Sequence, residues 1–340
     1  MNSTKLIKIY PGDSQPNAFI KNTIKILSRI KGYKIEGIPL NHKLLIRQLP
    51  HNIRYKSDVT IINWIENNLR NSNCRFSVFG GFKLLLLLLL FNLTSKNLIY
   101  IRHNLYPHGM SRHNGKVSKV IADIAEKLCS LSVVMSGHLT GADRHYIPHP
   151  LYEIENEPLI SNSEGFPGNE SYYVVFGSIT RYKKIHQLIE KWDFGDKLLV
   201  LGSPNDSMYV NELASISSDK NVNIRAEVVS NAVAQEILLR SSGMLIPHSG
   251  PDMIVSGSFF YAATLGVPVY AIDSPFFDWL KAIYGFRGIK TFKCMDGMIS
   301  FLRSGNRVLM SPCELRKEAN LLFGDCVVKK AWENLLENIT

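Results

Sequence analysis

The sequence has few of the features that reveal a function at a glance. Its five cysteines, Cys74, Cys129, Cys294, Cys313 and Cys326, are odd in number and widely spaced. No Cys-x-x-Cys pair and no Cys/His grouping has metal-ligand spacing. A zinc ribbon or finger is therefore excluded, no metal is expected, and free thiols in a reducing cytoplasm are. No apolar run approaches the roughly 20 residues of a spanning helix. The longest, Leu84 to Phe91, is followed by Asn92 and then Lys96, and reads as a buried or interfacial helix. The segment Met1 to Tyr10 has scattered lysines and no apolar h-region, so no secretory signal is expected. There is no short-period repeat, no helix-turn-helix or RNP pattern, and no interleaving of aromatic with basic residues. Nucleic acid is thus disfavoured as a partner.

What is present is enough apolar material for two ordinary cores, 45% of 340 residues, and an uneven charge. Residues 1–150 hold 21 basic and 7 acidic side chains, a net of +14, against a net of −4 for residues 151–340. A basic half joined to a faintly acidic one points to a polyanion facing the first half: a membrane surface, a pyrophosphate-linked substrate or nucleic acid. A merely basic solvated surface gives the same count.

Hydrophobic patterning alternates between strands and helices. Residues 4–10 alternate and stop at Pro11-Gly12, as a first strand does. Asn17 to Lys31 has helical spacing, with Gly32 as a cap. Strands follow at Tyr33 to Ile38 and Asp58 to Trp64, a mostly apolar helix at Phe79 to Leu93, and a buried strand at Asn97 to Arg102. Val117 to Cys129 is a helix and Leu131 to Ser136 a strand. A polar, Pro/Gly-containing stretch ends this half. The alternation then restarts, with strands at Tyr172 to Phe176, Lys197 to Leu201, Asn221 to Ile224, Gly243 to Ile246 and Val267 to Ile272. Helices begin near Lys183, Asp206, Ala232, Ser256 and Phe276, and the chain is helical again from Pro312. The expected organisation is an α/β chain with parallel sheets covered on both faces. A first Rossmann-like domain spans 1–152, a linker 153–171 and a second domain 172–324, with a closing helix over 325–340.

Ligands of open parallel sheets sit beyond the carboxyl ends of strands. Two loops there suit an anion. In FGSITRYKK, Phe176 to Lys184, small residues Gly177 and Ser178 let the backbone approach a ligand. A helix starting near Lys183 would supply N–H groups, and Arg181, Lys183 and Lys184 add charge. In the second loop, Ser256 can cap a helix, Gly257 permits close approach, and Ser258 follows. Capping alone also explains that loop. His248, after another strand of this half, is placed to reach the same ligand.

These segments carry a resemblance. FGSITRYKKIHQLI resembles the F-G-x-I-x-x-Y-K-x-I-x-x-L-I stretch of GT-B glycosyltransferases, and SGSFFYAATLGVPVYAID their S-G-S-x-x-x-A-x-x-x-G-x-P-V stretch. YPGDSQPN (10–17), Asn63-Trp64, His103-Asn104 with Pro107-His108, and IPHP (147–150) resemble landmarks of the first domain. The likeness runs in order along nearly the whole chain and is strongest to family-4-like and bacterial exopolysaccharide β-mannosyltransferase-like enzymes. It implies two Rossmann-like domains facing across a cleft. It also implies a UDP- or GDP-sugar held by the second domain, an acceptor by the first, metal-independent chemistry with no cofactor, and a last helix, Cys326 to Asn338, returning to the first domain.

The departures shape the mechanism that the likeness implies. Retaining family-4 enzymes place Arg and Lys five apart after the first donor-domain strand. Here Ser178 takes the Arg position and Lys183 the Lys, with Arg181 a substitute in charge. They also carry two glutamates eight apart, where this chain has Met253 and Tyr261. Loss of both acids favours inversion and equally leaves open a non-catalytic shell that binds a nucleotide sugar or a partner. An inverting transfer needs a base on the acceptor hydroxyl and positive charge on the leaving diphosphate. Asp13 and His103, each beyond a first-half strand, are the candidate bases; a turn residue and a structural histidine are the plainer readings. His108, His138 and His149 read as loop or packing residues. The functional expectation is a hexosyltransferase acting on a lipid-linked glycan in surface polysaccharide synthesis, cytoplasmic, at the cytosolic face of an anionic membrane.

Overall fold

The computed structural model describes residues 4–12, 17–155, 171–250, 253–308 and 310–339. Asp13 and nearly all of the expected linker fall outside these. The chain divides into two compact units. Unit 1 comprises Met1–Pro150, Pro251–Val255 and Phe323–Thr340; unit 2 comprises Leu151–Gly250 and Ser256–Leu322.

Unit 1 runs β1 (Lys5–Tyr10), α1 (Ala18–Leu27), β2 (Tyr33–Gly37), α2 (His42–Arg54), β3 (Ser57–Asn63), α3 (Val78–Thr94), β4 (Ser95–Arg102), α4 (Arg112–Lys127), β5 (Leu131–Val134) and β6 (Arg144–Tyr146). The six strands are parallel, in the order β2-β1-β3-β4-β5-β6. Strand residues alternate between two cores, as a sheet covered on both faces requires. Ile7, Ile9, Val59, Ile61, Ile99 and Ile101 face one helical layer, and Ile62, Leu98 and Tyr100 face the other. α1 ends at Ser28, short of the expected Lys31. The N–H of Ser28 still bonds Ile24 O, and Gly32 then turns at φ +85°. α2 was not legible in the sequence because Pro50 lies inside it. In α3, Leu84, Leu87, Leu88 and Phe91 are buried at the i, i+3, i+4, i+7 spacing of one helical face. That helix therefore packs by half its circumference only.

Unit 2 runs β7 (Tyr172–Phe176), α5 (Ile185–Glu190), β8 (Lys197–Leu201), α6 (Ser207–Ile216), β9 (Val222–Arg225), α7 (Asn231–Arg240), β10 (Gly243–Ile246), α8 (Gly257–Leu265), β11 (Val269–Ile272), α9 (Pro275–Tyr284), β12 (Ile289–Phe292), α10 (Met295–Arg303) and α11 (Pro312–Phe323). Its sheet is also parallel, ordered β12-β11-β10-β7-β8-β9. A last helix, α12 (Asp325–Glu337), belongs to unit 1. Its Val328, Trp332, Leu335 and Leu336 pack with Ile26, Leu27 and Ile30, and Arg29 pairs with Asp325 at 2.7 Å.

In both sheets the strand order reverses at one place, between β1 and β3 in unit 1 and between β7 and β10 in unit 2. Such switch points open a crevice beyond the strand ends. In unit 2 the loops that follow β7 and β8 meet in close backbone contact. A Cβ on residue 202 would stand 2.0 Å from the Gly177 carbonyl oxygen, and φ there is +153°. Gly202→Ala is therefore expected to destabilise the protein by about 3 kcal/mol, read as a lower midpoint in urea. An unchanged midpoint would show that the two loops do not need this contact.

Candidate functional site

The first candidate site lies in unit 2 at the β7/β10 switch point. β7 ends at Phe176 and the chain turns at Gly177 with φ +102°, open to glycine and strained for other residues. In place of the expected helix start, Arg181–Lys183 form a single 3-10 turn and Lys184 adopts a left-handed conformation, φ 56°. α5 then runs only from Ile185 to Glu190. This turn carries the Lys183 side chain back under the strand end. Its Nζ would lie 3.1 Å from a Cβ on Gly177, with Ser258 Oγ 3.8 Å from the same point. Lys183 is only 8% exposed, and burial pushes its ammonium down to about 8. Among the described residues its Nζ has no carboxylate partner. A buried ammonium without a counter-ion is costly unless an anion joins it.

Around it, Ser258 Oγ donates to Phe176 O at 3.4 Å, and Ser203 Oγ to the exposed Ser178 at 3.3 Å. Ser256 caps α8, accepting from the N–H of Phe259 at 3.3 Å. Its first turn therefore presents N–H groups that have no partner within the helix. Gly257 faces the Tyr152 hydroxyl, 3.4 Å from the place of a Cβ. His248, beyond β10, meets the Tyr182 ring edge-on at 5.5 Å. Arg181 goes elsewhere. It makes a two-pronged pair with Glu212, one arm at 3.0 Å, and lies 4.7 Å above the Tyr209 ring. Its charge is thus committed to α6.

At the two positions that the resemblance to retaining enzymes would give acids, the chain has Tyr261 and Met253. Tyr261 stacks on Phe176 at 4.8 Å, donates to Asn231 Oδ1 at 2.5 Å, and is buried, which pushes its phenol well above the ordinary range. Asn231 in turn donates to Glu155 at 3.1 Å. Met253 is buried in unit 1, where its backbone bridges to Asn104. The Tyr261–Asn231 pair was not legible in the sequence; only a tyrosine in the place of an acid pointed to it.

The second candidate site lies in unit 1 at the β1/β3 switch point. A cleft of ≈ 680 Å³ is lined there by Tyr10 and Pro11 at the end of β1, by Asn63 and Trp64 at the end of β3, and by Asn68 and Lys83. Trp64 is held left-handed, φ 51°, a strained conformation of the kind found at functional positions. His103, beyond β4, is buried at 6% exposure and stacks flat on Trp64 at 4.1 Å, with the edge of Phe19 at 4.9 Å. The amide nitrogen of Asn63 donates to Tyr10 O at 3.2 Å, which turns its oxygen to His103 Nε2 at 3.0 Å. Nε2 therefore carries the proton, and Nδ1 is the basic atom. Burial first, and the neighbouring His149 second, hold this imidazole well below its ordinary range, so it is neutral. His149 is itself held down to about 4 by burial, and meets Pro150 O at 2.7 Å.

Beneath the loop after β4 lies a buried ionic network. Arg102, fully buried, donates to Asp123 and Glu126 at 2.5 Å each and to the carbonyls of Asn104 and Leu105 at 3.3 and 2.7 Å. Glu66, also fully buried, accepts from Tyr100 at 2.7 Å, and desolvation raises its carboxyl to about 6. Neither the network nor Glu66 was expected. Among the described residues no group of His, Cys, Asp and Glu could hold a metal ion.

No protein-family model matches the chain, and no curated protein matches it by sequence. Solved structures do match. An Anabaena protein, Alr3699/HepE, solved in complex with UDP and glucose, superposes with a TM-score of 0.66 at 12% identity, over 98% of this chain and 100% of its own. Sucrose-phosphate synthase from Thermosynechococcus elongatus also gives 0.66 at 11% identity, over 98% and 99%. A glycosyltransferase from Rickettsia africae gives 0.65 at 12% identity, over 100% and 99%. The chain thus has the two-unit α/β fold of GT-B glycosyltransferases. A putative UDP-N-acetylglucosamine 2-epimerase from Listeria monocytogenes, at 0.57 and 9% identity over 100% and 98%, shares that fold too. Activity has to be argued from the sites.

Proposed function

We propose that the chain is a metal-independent GT-B hexosyltransferase, taking its sugar from a UDP- or GDP-sugar. The observation that carries this is Lys183, a buried ammonium that has no carboxylate partner among the described residues, at the switch point of unit 2, flanked by Gly177, Ser258 and the start of α8. A nucleotide diphosphate supplies the missing negative charge, and the charge that develops on it as the glycosidic bond breaks is stabilised by the same ammonium. Ser178, Ser256, Gly257 and His248 complete the donor contacts. The neighbours' UDP, glucose and transferase descriptions support this reading.

Inversion is the stereochemistry we assign, because Tyr261 and Met253 leave no carboxylate where a retaining enzyme has two. The base then belongs to the cleft of unit 1. Asp13 lies three positions beyond the last residue of β1, whose end lines that cleft, and we assign it the proton of the acceptor hydroxyl. His103 is buried behind Trp64 with Nε2 engaged, and its part is to hold Trp64 in place. Asp13→Asn should lower kcat about 10³-fold with KM little changed, and His103→Gln only about tenfold. The reverse ranking would make His103 the base. The acceptor we assign is a lipid-linked glycan of surface polysaccharide synthesis, met at the cytosolic face of an anionic membrane.

The test is release of nucleotide from a panel of UDP- and GDP-sugars with solubilised lipid extract, followed by the anomeric configuration of the product. Release that depends on one donor supports the transferase. Saturable nucleotide binding with no release from any donor would favour the reading that the missing acids also allow, a shell that binds without turnover.

A further inference from the structure

Among the described residues the outward half of α3 has nothing to pack on. Its inward residues fill the core, whereas Val78, Phe79, Phe82, Leu85, Leu86, Leu89 and Leu93 are exposed, Phe79 by 78% and Phe82 by 65%. These positions form one stripe along the helix. α3 packs beside both α2 and α4, and Val120 and Ile124 of α4, with Leu128 just beyond it, are exposed as well. A patch of this kind on a chain otherwise rich in surface charge marks a contact site.

The charge around the stripe says what it contacts. The three helices contain eight Lys and Arg residues and two acids. Both acids, Asp123 and Glu126, are bound to Arg102, which is fully buried. Arg47 and Arg54 of α2 and Arg112, Lys116 and Lys127 of α4 are exposed. An apolar centre with a predominantly basic surround fits an anionic lipid surface, where acyl chains meet phosphate headgroups. A second copy of this chain fits poorly, because a two-fold contact would set basic surround against basic surround. Among the described residues no helix is long and apolar enough to cross a membrane, so the helix lies on the bilayer.

We propose that the outer face of the α2–α3–α4 layer docks on anionic lipid bilayers, with α3 along the membrane plane and Phe79, Phe82, Leu86 and Leu89 in the acyl boundary. Lys83, next to Phe82 on the same helix, lines the cleft of unit 1, so the cleft wall and the docking face share one element. This deepens the membrane part of the proposed function and rests on that reading only for the acceptor.

The experiment is co-sedimentation of the full chain, without any nucleotide sugar, with phosphatidylcholine vesicles and with the same vesicles containing phosphatidylglycerol. Binding to the anionic vesicles that weakens with salt is expected. Phe79→Ser/Phe82→Ser should lower the partition roughly a hundredfold, and Lys116→Glu/Lys127→Glu roughly tenfold. Circular dichroism melts of both variants should match the parent, since all four side chains are exposed. Absence of binding to anionic vesicles, or equal binding by the double Phe variant, would overturn the proposal. So would a soluble dimer in sedimentation velocity that Phe82→Ser dissociates. Nucleotide binding, measured by calorimetry on the same protein, is a separate readout. Its loss with vesicle binding intact sinks the transferase reading and leaves the docking face standing.

Discussion

Lys183→Met is expected to lower donor turnover by about 10²- to 10³-fold while making the protein more stable. The two effects have one origin. In the folded chain the ammonium titrates at about 8, against 10.5 ordinarily, because it is buried. Between those values the unfolded chain holds more protons than the folded one, so stability rises with pH through that window. Below pH 8 the group is charged in both states, and its burial costs the fold about 3 kcal/mol. A methionine of similar length removes that cost. A bound diphosphate reverses the sign of the environment and draws the proton back. Nucleotide binding at pH 8 should therefore take up a fraction of a proton, and affinity should fall as pH rises above 8. Calorimetry in buffers of different ionisation enthalpy measures the first, and a thermal melt of Lys183→Met the second half of the claim. A lower melting temperature in Lys183→Met would assign the lysine a structural role and remove the main support for a donor site.

Arg102→Met should cost about 3 kcal/mol, because the buried Glu126 loses one of its two arginine partners and keeps only Arg144. The sequence gives no hint of these partners, since Arg102 is there only the last residue of the buried strand expected at Asn97 to Arg102. In the fold its guanidinium is fully buried and holds two carboxylates and the carbonyls of Asn104 and Leu105. The loss should therefore reach beyond stability, to the loop that carries His103. The slope has the same sign as for Lys183, stability rising with pH, but here the charged form is the one that the fold favours. Desolvation opposes ionisation of Glu126, but hydrogen bonds from Arg144 and Ser132 and the two arginine charges outweigh it and hold the carboxyl at about 2, against 4.5 ordinarily. Its contribution is present in full above pH 4.5 and is lost as pH falls toward 2, about 3 kcal/mol in all. Urea midpoints across that range for the parent and Glu126→Gln give the test. Parallel curves would mean that the network contributes nothing net.

The strands were largely readable because both faces of each sheet are buried, and Val/Ile-rich runs such as those of β3 and β4 have few other uses. Helix starts in unit 2 were placed within about two residues of their caps, of which only Ser256 was read as one: Asp206, Ser230, Ser256 and Ser274 each accept from the N–H groups of the helix they precede. What escaped was set by tertiary contact. α2 carries a proline in its interior, and β6 and β12 are too short to show a period. The candidate donor lysine was visible as a charge after a strand, but not its burial, which depends on the left-handed Lys184 that turns the chain. Arg181 looked equivalent to Lys183 in sequence, and only Glu212, 31 positions away, separates their fates. In unit 1, His103 could be picked out by its place after a strand, yet nothing local foretold that Trp64 would cover it.

The return of α12 to unit 1 has a consequence for synthesis. Trp332, Leu335 and Leu336 complete a core whose other members, from Ile7 to Ile147, are made first. At roughly 5–20 residues per second, the ribosome needs on the order of ten seconds or more to travel from one end of that core to the other. During this interval Ile26, Leu27 and Ile30 have no helix to cover them, while the sequence of unit 2, up to Leu322, is made. The unit made first is thus the last that can close, and its uncovered face is the one a holding chaperone would meet on the nascent chain.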